Sequence, residues 1–333
     1  MFDETARDDM AAWSAPARDD SRGVAHARQR TLKSAISCTG TALHSGQKIT
    51  MTLLPAAPDT GIVFRRTDIA GRRAEIPALW NAVADSRLCT VIANADGVTV
   101  ATIEHLMAAL AGCGLDNVVV ELNGGEVPIM DGSSAPFVFL IECAGTVEQD
   151  AVRKAIRIRR AVTVRNDQTV ASLSPARGGL TIDFEIDFTA RAIGRQRDAY
   201  LVTPATFKQD IARARTFGML EDIPKMRAAG LGLGGSLDNA VVVNDDQILN
   251  EDGLRFSNEF VRHKILDAVG DLALAGHPII GRFDGVRSSH AHNNKLLRAL
   301  FADSTAWSLE PMPAALSTPL PAAGARVLDR LSA

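Results

Sequence analysis

The sequence predicts an α+β fold made of two similar units, with helices packed on antiparallel-rich sheets. Two observations carry this. The segment "TIDFEIDF" (181–188) alternates without error, with Ile182, Phe184, Ile186 and Phe188 on one face and Thr181 and the acids on the other. That is the pattern of a half-buried antiparallel strand. In addition, a series of strands followed by helix, glycine and strand occurs twice along the chain, as a duplicated unit would produce.

In the first unit "ITMTLLP" (49–55), "GIVFRR" (61–66) and "CTVIAN" (89–94) read as strands. "TIEHLMAALAGCG" (102–114) reads as a helix that ends on glycine and feeds the strand "NVVVELNG" (117–124). "PIMDGSSAPFVFLIECAG" (128–145) reads as a turn followed by a second helix. The charged stretch "EQDAVRKAIRIRR" (148–160) looks like the passage into the second unit. That unit holds the alternating strand, a helical "TFKQDIARAR" (206–215), the helix "EFVRHKILDAVGDLALAGH" (259–277) and the strand "PIIGRFDG" (278–285). The expected boundaries are 30–152 for domain I and 153–307 for domain II, with an insert near 219–242. A disordered extension is expected at 1–29, which has five Asp, one Glu and no apolar run, and a Pro/Ala-rich tail at 308–333.

Bulk properties narrow the function. A chain of 333 residues with 46% hydrophobic and 23% charged residues can bury sizeable cores. Its net charge of -3 gives no global bias toward nucleic acid or anionic membranes. No apolar run approaches the ~20 residues of a membrane span. Cys38, Cys89, Cys113 and Cys143 are scattered without a C-x-x-C pair, which fits reduced thiols in a cytoplasm.

The helix at 259–277 raises the chemical question. At roughly 100° per residue, His263, Asp267, Asp271 and Lys264 share one arc, while Ile265, Leu266, Val269 and Leu272 take the other. A solvated face explains this fully, because surface helices look this way. Yet His263 and Asp267 stand at i and i+4, so both can reach a single point above the helix. The spacing suits zinc, which needs a third protein ligand and an open position for catalysis. His105, His290 and His292 are the candidates; His26, His44 and His277 fit an extension, a turn and a helix end. Glu104 precedes His105 directly, so that helix start offers a ligand and a proton acceptor together. An acid near a helix N-terminus is also common without any metal. His290 and His292 lie in the polar, loop-like "RSSHAHNNK", a setting that often carries catalytic groups. "GLGLGGS" (230–236) has dinucleotide-binding spacing, but a helix precedes it and a strand follows, which reverses that motif.

"TIEHLMAALAGCGLDN", "PIMDGSSAPF", "ARTFGML", "GLGLGGSLDNAVVV", "LNEDGLRFSNEFVRHKILDAVGDL" and "SSHAHNNK" closely resemble the UDP-3-O-acyl-N-acetylglucosamine deacetylases, the zinc amidases of lipid A synthesis. The resemblance runs in order from about Arg30 to about Trp307. It implies two α+β domains that sandwich their helices between two sheets, each domain with a small insert. It assigns His105, His263 and Asp267 to zinc (iron(II) is compatible with the same donors) and Glu104 to the general base. His290 takes the place of the second catalytic group, with Asp271 orienting it. Thr216 matches the hydroxyl that helps hold the oxyanion, and Lys264 a contact to substrate. Phe217, Gly235 and Cys89 fall where the family meets sugar or acyl chain, and Arg287 is a further candidate for substrate phosphate. Ser289 and His292 stand where the family often has glycine and an apolar residue. The implied partner is a UDP-linked acylated glucosamine, handled by a cytoplasmic monomer. A rival reading keeps the metal and changes the substrate to another amide; a non-catalytic scaffold is disfavoured by the complete set of ligands, base and acid.

Overall fold

A computed structural model describes residues 25–70 and 74–317; most of the acidic extension and residues 318–333 of the tail lie outside them. The first unit comprises β1 (Arg28–Leu32), β2 (Ile36–Thr41), β3 (Lys48–Pro55), β4 (Ile62–Arg66), β5 (Glu75–Pro77), β6 (Val83–Asp85), β7 (Val91–Ala93), β8 (Thr99–Val100), α1 (Glu104–Gly112), β9 (Val118–Leu122), α2 (Ala135–Ala144) and β10 (Thr146–Val152). The second comprises β11 (Lys154–Ile158), β12 (Val162–Asn166), β13 (Thr169–Ser174), β14 (Leu180–Asp187), β15 (Arg195–Val202), α3 (Pro204–Thr206), β16 (Phe217–Met219), α4 (Ile223–Ala228), β17 (Val241–Asn244), β18 (Gln247–Ile248), α5 (Glu259–Ala273), β19 (Ile279–Val286), α6 (His290–Ala302), β20 (Trp307–Pro311) and α7 (Ala314–Ser317).

The two main sheets repeat one topology. In the first, the order is β2-β3-β9-β4-β5, with β9 antiparallel to β3 and parallel to β4. In the second, β19 is antiparallel to β13 and parallel to β14, which continues into β15. A parallel partner requires a crossover, and α1 and α5 occupy equivalent places in these connections. Each unit carries a small three-stranded sheet as an insert, β6-β7-β8 and β16-β17-β18. The duplication expected from element order is therefore a duplication of strand pairing.

The helices share a single contiguous core with both sheets, including Phe64 and Val120 from the first and Phe184 and Phe283 from the second. Eight of the nine residues of α1 are buried, so this helix is inside on nearly every side. It crosses α5 at Gly270, where an added Cβ would lie 2.0 Å from the carbonyl oxygen of Glu104. Only the missing side chain lets the two backbones come this close.

Several local expectations need correction. Residues 148–160, read as the passage into the second unit, cross between the units as strands: they form β10, paired with β1, and β11, which lies between β19 and β20. In β11 Ala155, Ile156 and Ile158 are buried, whereas Val147 and Val152 of β10 stay exposed and Arg153 is buried against Asp116. The helix expected over 206–215 ends after a short turn at Ile211. The 259–277 helix stops at Ala273, and Gly276, at φ +83°, turns the chain away. Phe188 falls outside β14 and is 37% exposed. His290 begins a helix rather than sitting in a loop, because Leu296, Leu297 and Leu300 supply an inward face beyond its polar first turn. Ordered chain continues past Trp307, since Trp307–Pro311 pairs with β11. A cavity of about 210 Å³ lies between the units beside Met107, Leu110, Val269 and Leu272. It includes none of the polar residues of the candidate site.

Gly270→Ala should destabilise the protein by about 3 kcal/mol, the upper end for overpacking, because the clash is with backbone and the core cannot easily yield. Denaturant unfolding measures this, and a midpoint equal to the parent's would show that the helices can part freely.

Candidate metal centre and proton-transfer groups

The crossing of α1 and α5 gathers the polar stripe of α5 and the first turn of α1 into one buried cluster. His105, His263 and Asp267 present one ligand atom each, all within 4.8 Å of one another. Nε2 of His263 lies 3.3 Å from Oδ1 of Asp267, and Nε2 of His105 lies 3.6 Å from the same oxygen. That Oδ1 is buried and has no hydrogen-bond partner. An unsatisfied carboxylate oxygen facing two imidazole nitrogens is expensive unless something cationic joins them. The set of two imidazoles and one carboxylate therefore fits a divalent metal ion.

Neighbouring groups prepare these ligands. Nδ1 of His263 lies 3.1 Å from the carbonyl oxygen of Ala214, so Nδ1 carries the proton and Nε2 keeps its lone pair toward the cluster. Burial pushes His263 down to about 4, which keeps it neutral as a ligand must be. Burial works to raise Asp267, but His263 and Lys264 hold it well below the usual carboxylate range. The Lys264 ammonium donates to Oδ2 of Asp267 at 2.6 Å. The Ala214 carbonyl is itself fixed through Arg215, whose guanidinium and backbone N–H donate to the fully buried Glu259 at the start of α5.

A second pair faces the ligands. Glu104 is buried beside His105, and its Oε1 lies 3.9 Å from Nε2 of His290. Burial raises the Glu104 carboxyl, against the opposing pull of His290 and His105. Nδ1 of His290 donates to Oδ2 of Asp271 at 2.8 Å. Burial opposes the imidazolium, yet Asp271 and Glu104 raise His290 to about 9. Two carboxylates thus hold an imidazolium on α6, whereas burial strips the proton from His263 on α5.

The remaining candidates are placed unequally. The ring of Phe217 lies 6.2 Å from that of His263, and Thr216 precedes it, half-buried, with its N–H donating to the Gly132 carbonyl. Cys89 is buried and pushed up to about 12 by burial and Glu104. Gly235 sits in a glycine loop that packs on the β2–β3 turn, with Gly234 donating to the Leu43 carbonyl. Arg287 binds Gln168 and Asp187 instead of a group of the cluster. Of the two open histidines, His290 enters the site, while Nδ1 of His292 pairs with the Ser289 hydroxyl at 3.0 Å. Sequence reasoning missed Thr90 and Asn293. The Thr90 hydroxyl donates to Oδ1 of Asp271 at 2.7 Å, and Asn293 donates to Oδ2 at 2.8 Å. Reading 290–302 as helical would have placed Asn293 one turn from His290; Thr90 left no signal of its own.

Residues 29–302 match the family model described as LpxC, UDP-3-O-acyl N-acetylglycosamine deacetylase. The chain belongs to this family. A protein of Pasteurella multocida (strain Pm70) named UDP-3-O-acyl-N-acetylglucosamine deacetylase is 51% identical over 282 residues, covering 84% of this chain and 92% of the relative. One of the same name from Xanthomonas campestris pv. campestris (strain 8004) is 50% identical over 295 residues, covering 88% and 96%. The Haemophilus influenzae (strain PittEE) relative, again of that name, is 51% identical over 282 residues.

The charge on His290 sets a pH dependence. An imidazole raised to about 9 stabilises the fold fully below its ordinary value near 6.5, and that stability is lost as pH rises through about 9. If His290 acts as an acid, activity falls over the same upper range. Asp271→Asn should move the alkaline limb of the kcat profile down toward the ordinary imidazole value, as read from kcat against pH.

Proposed function

We propose that this chain hydrolyses the N-acetyl group of UDP-3-O-acyl-N-acetylglucosamine, releasing acetate and the free amine in lipid A biosynthesis. One observation carries the reading: the buried His105–His263–Asp267 cluster, with an orphaned Asp267 oxygen, faces the Glu104–His290 pair in a chain about half identical to relatives named for that deacetylation.

His105, His263 and Asp267 hold the metal, taken as zinc, although iron(II) suits the same donors. When bound there, it supplies Lewis acidity to the acetyl carbonyl and to the attacking water. Glu104 takes the proton from that water, a task helped by its raised pKa. The Thr216 hydroxyl adds a donor to the oxyanion, where charge develops in the transition state. His290, kept protonated against Asp271, delivers a proton to the departing amine. Lys264 holds Asp267 and contributes positive charge at the substrate side. Phe217, Gly235 and Cys89 meet sugar or acyl chain, the 219–242 insert walls the acyl channel, and Arg287 contacts substrate phosphate after exchanging partners. The four free cysteines fit a cytoplasmic setting, and the enzyme acts as a monomer. Among the described residues no helix is long and apolar enough to cross a membrane.

The test is deacetylation of the UDP-linked sugar with and without its 3-O-acyl chain, with metal analysis of the same sample. About one equivalent of zinc or iron and turnover only of the acylated sugar are expected, and chelation should abolish activity. Glu104→Gln and His290→Gln should each lower kcat about 10²–10⁴-fold while leaving the circular dichroism spectrum unchanged. Full activity in a metal-free sample would sink the reading.

A further inference from the structure

Thr90 sits one residue before β7, in the first unit, and is 2% exposed. Its backbone N–H donates to Oε2 of Glu104 at 3.0 Å, and its hydroxyl donates to Oδ1 of Asp271 at 2.7 Å. Glu104 stands on α1 and Asp271 on α5, so one residue reaches carboxylates of both units. These two carboxylates also flank His290, one at each ring nitrogen.

The other oxygen of Asp271 is equally constrained. Oδ2 accepts from Nδ1 of His290 and from Nδ2 of Asn293, each at 2.8 Å. The Ser288 hydroxyl donates to Oδ1 of Asn293 at 2.8 Å, which fixes the amide so that its NH₂ faces Asp271. Asp271 therefore accepts three hydrogen bonds while 3% exposed. With Oδ2 shared between His290 and Asn293, the rotation of the carboxylate about its bond to Cβ is set at Oδ1, and Thr90 is the donor there. A buried carboxylate deprived of such a donor turns to recover one, and the imidazole bonded to its other oxygen turns with it.

We propose that Thr90 is a positioning residue for the deacetylation, holding the proton acceptor Glu104 through its peptide and the orientation of His290 through its hydroxyl on Asp271. Its bonds go to Glu104 and Asp271, neither of them among the metal-binding residues, and it acts through those groups. The inference rests on the reaction assigned above. It also gives a reason for Thr at this place: serine could make the same bond, but the branched side chain confines χ1 and leaves the hydroxyl fewer directions. Valine has nearly the same shape, keeps the peptide N–H to Glu104 and removes only the bond to Asp271.

The experiment compares Thr90→Val with Thr90→Ser in the metal-loaded enzyme, each assayed for kcat, KM, metal content and melting temperature. A misplaced proton-transfer group lowers rate by one to two powers of ten. Thr90→Val should therefore lower kcat roughly ten- to hundredfold, with KM within about twofold and unchanged metal content. Thr90→Ser should recover most of the loss. The Nδ1 proton of His290, seen by NMR in the parent as a strongly downfield resonance, should broaden or move upfield in the valine variant and return in the serine variant. A Thr90→Val kcat within about twofold of the parent, or a serine variant no better than valine, overturns the proposal. So does an unmoved His290 resonance accompanied only by a lower melting temperature, which marks a purely structural threonine. If the parent itself fails to deacetylate the acylated sugar, the assigned reaction falls, while the resonance comparison still decides whether Thr90 orients His290.

Discussion

The close crossing of α1 and α5 governs the rest of the structure. With hydrogen as its side chain, Gly270 lets the Glu104 carbonyl approach to a distance that a methyl group would forbid. That contact brings the first turn of one crossover helix onto the polar stripe of the other. Without it, His105 would belong to one unit and His263 and Asp267 to another, with no shared point between them. The duplicated topology explains why such a meeting is available, since equivalent helices of two similar units face each other across one core.

Burying so many ionisable groups is unfavourable unless each is paired or neutralised. The cluster meets this condition by dividing its histidines. His263 loses its proton to burial and gives its N–H to a carbonyl, while His290 keeps its proton between two carboxylates. Lys264, which helical spacing alone would place on a wet face, has its ammonium against Asp267. Among the buried atoms of the cluster left without a hydrogen-bond partner are Nδ1 of His105 and the Asp267 oxygen directed at both imidazoles. Local imbalance of this kind suits a site built to hold a cation.

The supporting contacts come from segments with little apparent chemistry. Glu259 secures Arg215, so the carbonyl that sets the tautomer of His263 is tied to the helix bearing that histidine. Thr90, Asn293 and Ser288 close a hydrogen-bonded ring around Asp271 and its histidine. Such a network is stiff because each bond limits the directions open to the next.

Sequence alone determined the periodic features: the 181–188 strand, the amphipathic helix from Glu259, the glycine stop after α1 and the i, i+4 pairing of His263 with Asp267. These depend on spacing along a few turns, which local geometry fixes. It misread the segment from His290 to Lys295 as a loop, where a polar first helical turn carries a weak apolar period and takes its structure from partners far along the chain. Residue reading left His105 with Glu104, His290 and His292 as candidates, and motif resemblance gave His105, Glu104 and His290 their roles, since spacing along the chain could not bring them together. Only the tertiary structure decided that His292 pairs with Ser289 instead, that Arg287 turns to Asp187, and that Thr90 joins Glu104 to Asp271. Those outcomes depend on how two helices and a loop approach in space, and the hydrogen bonds that record the approach span up to 181 residues of chain.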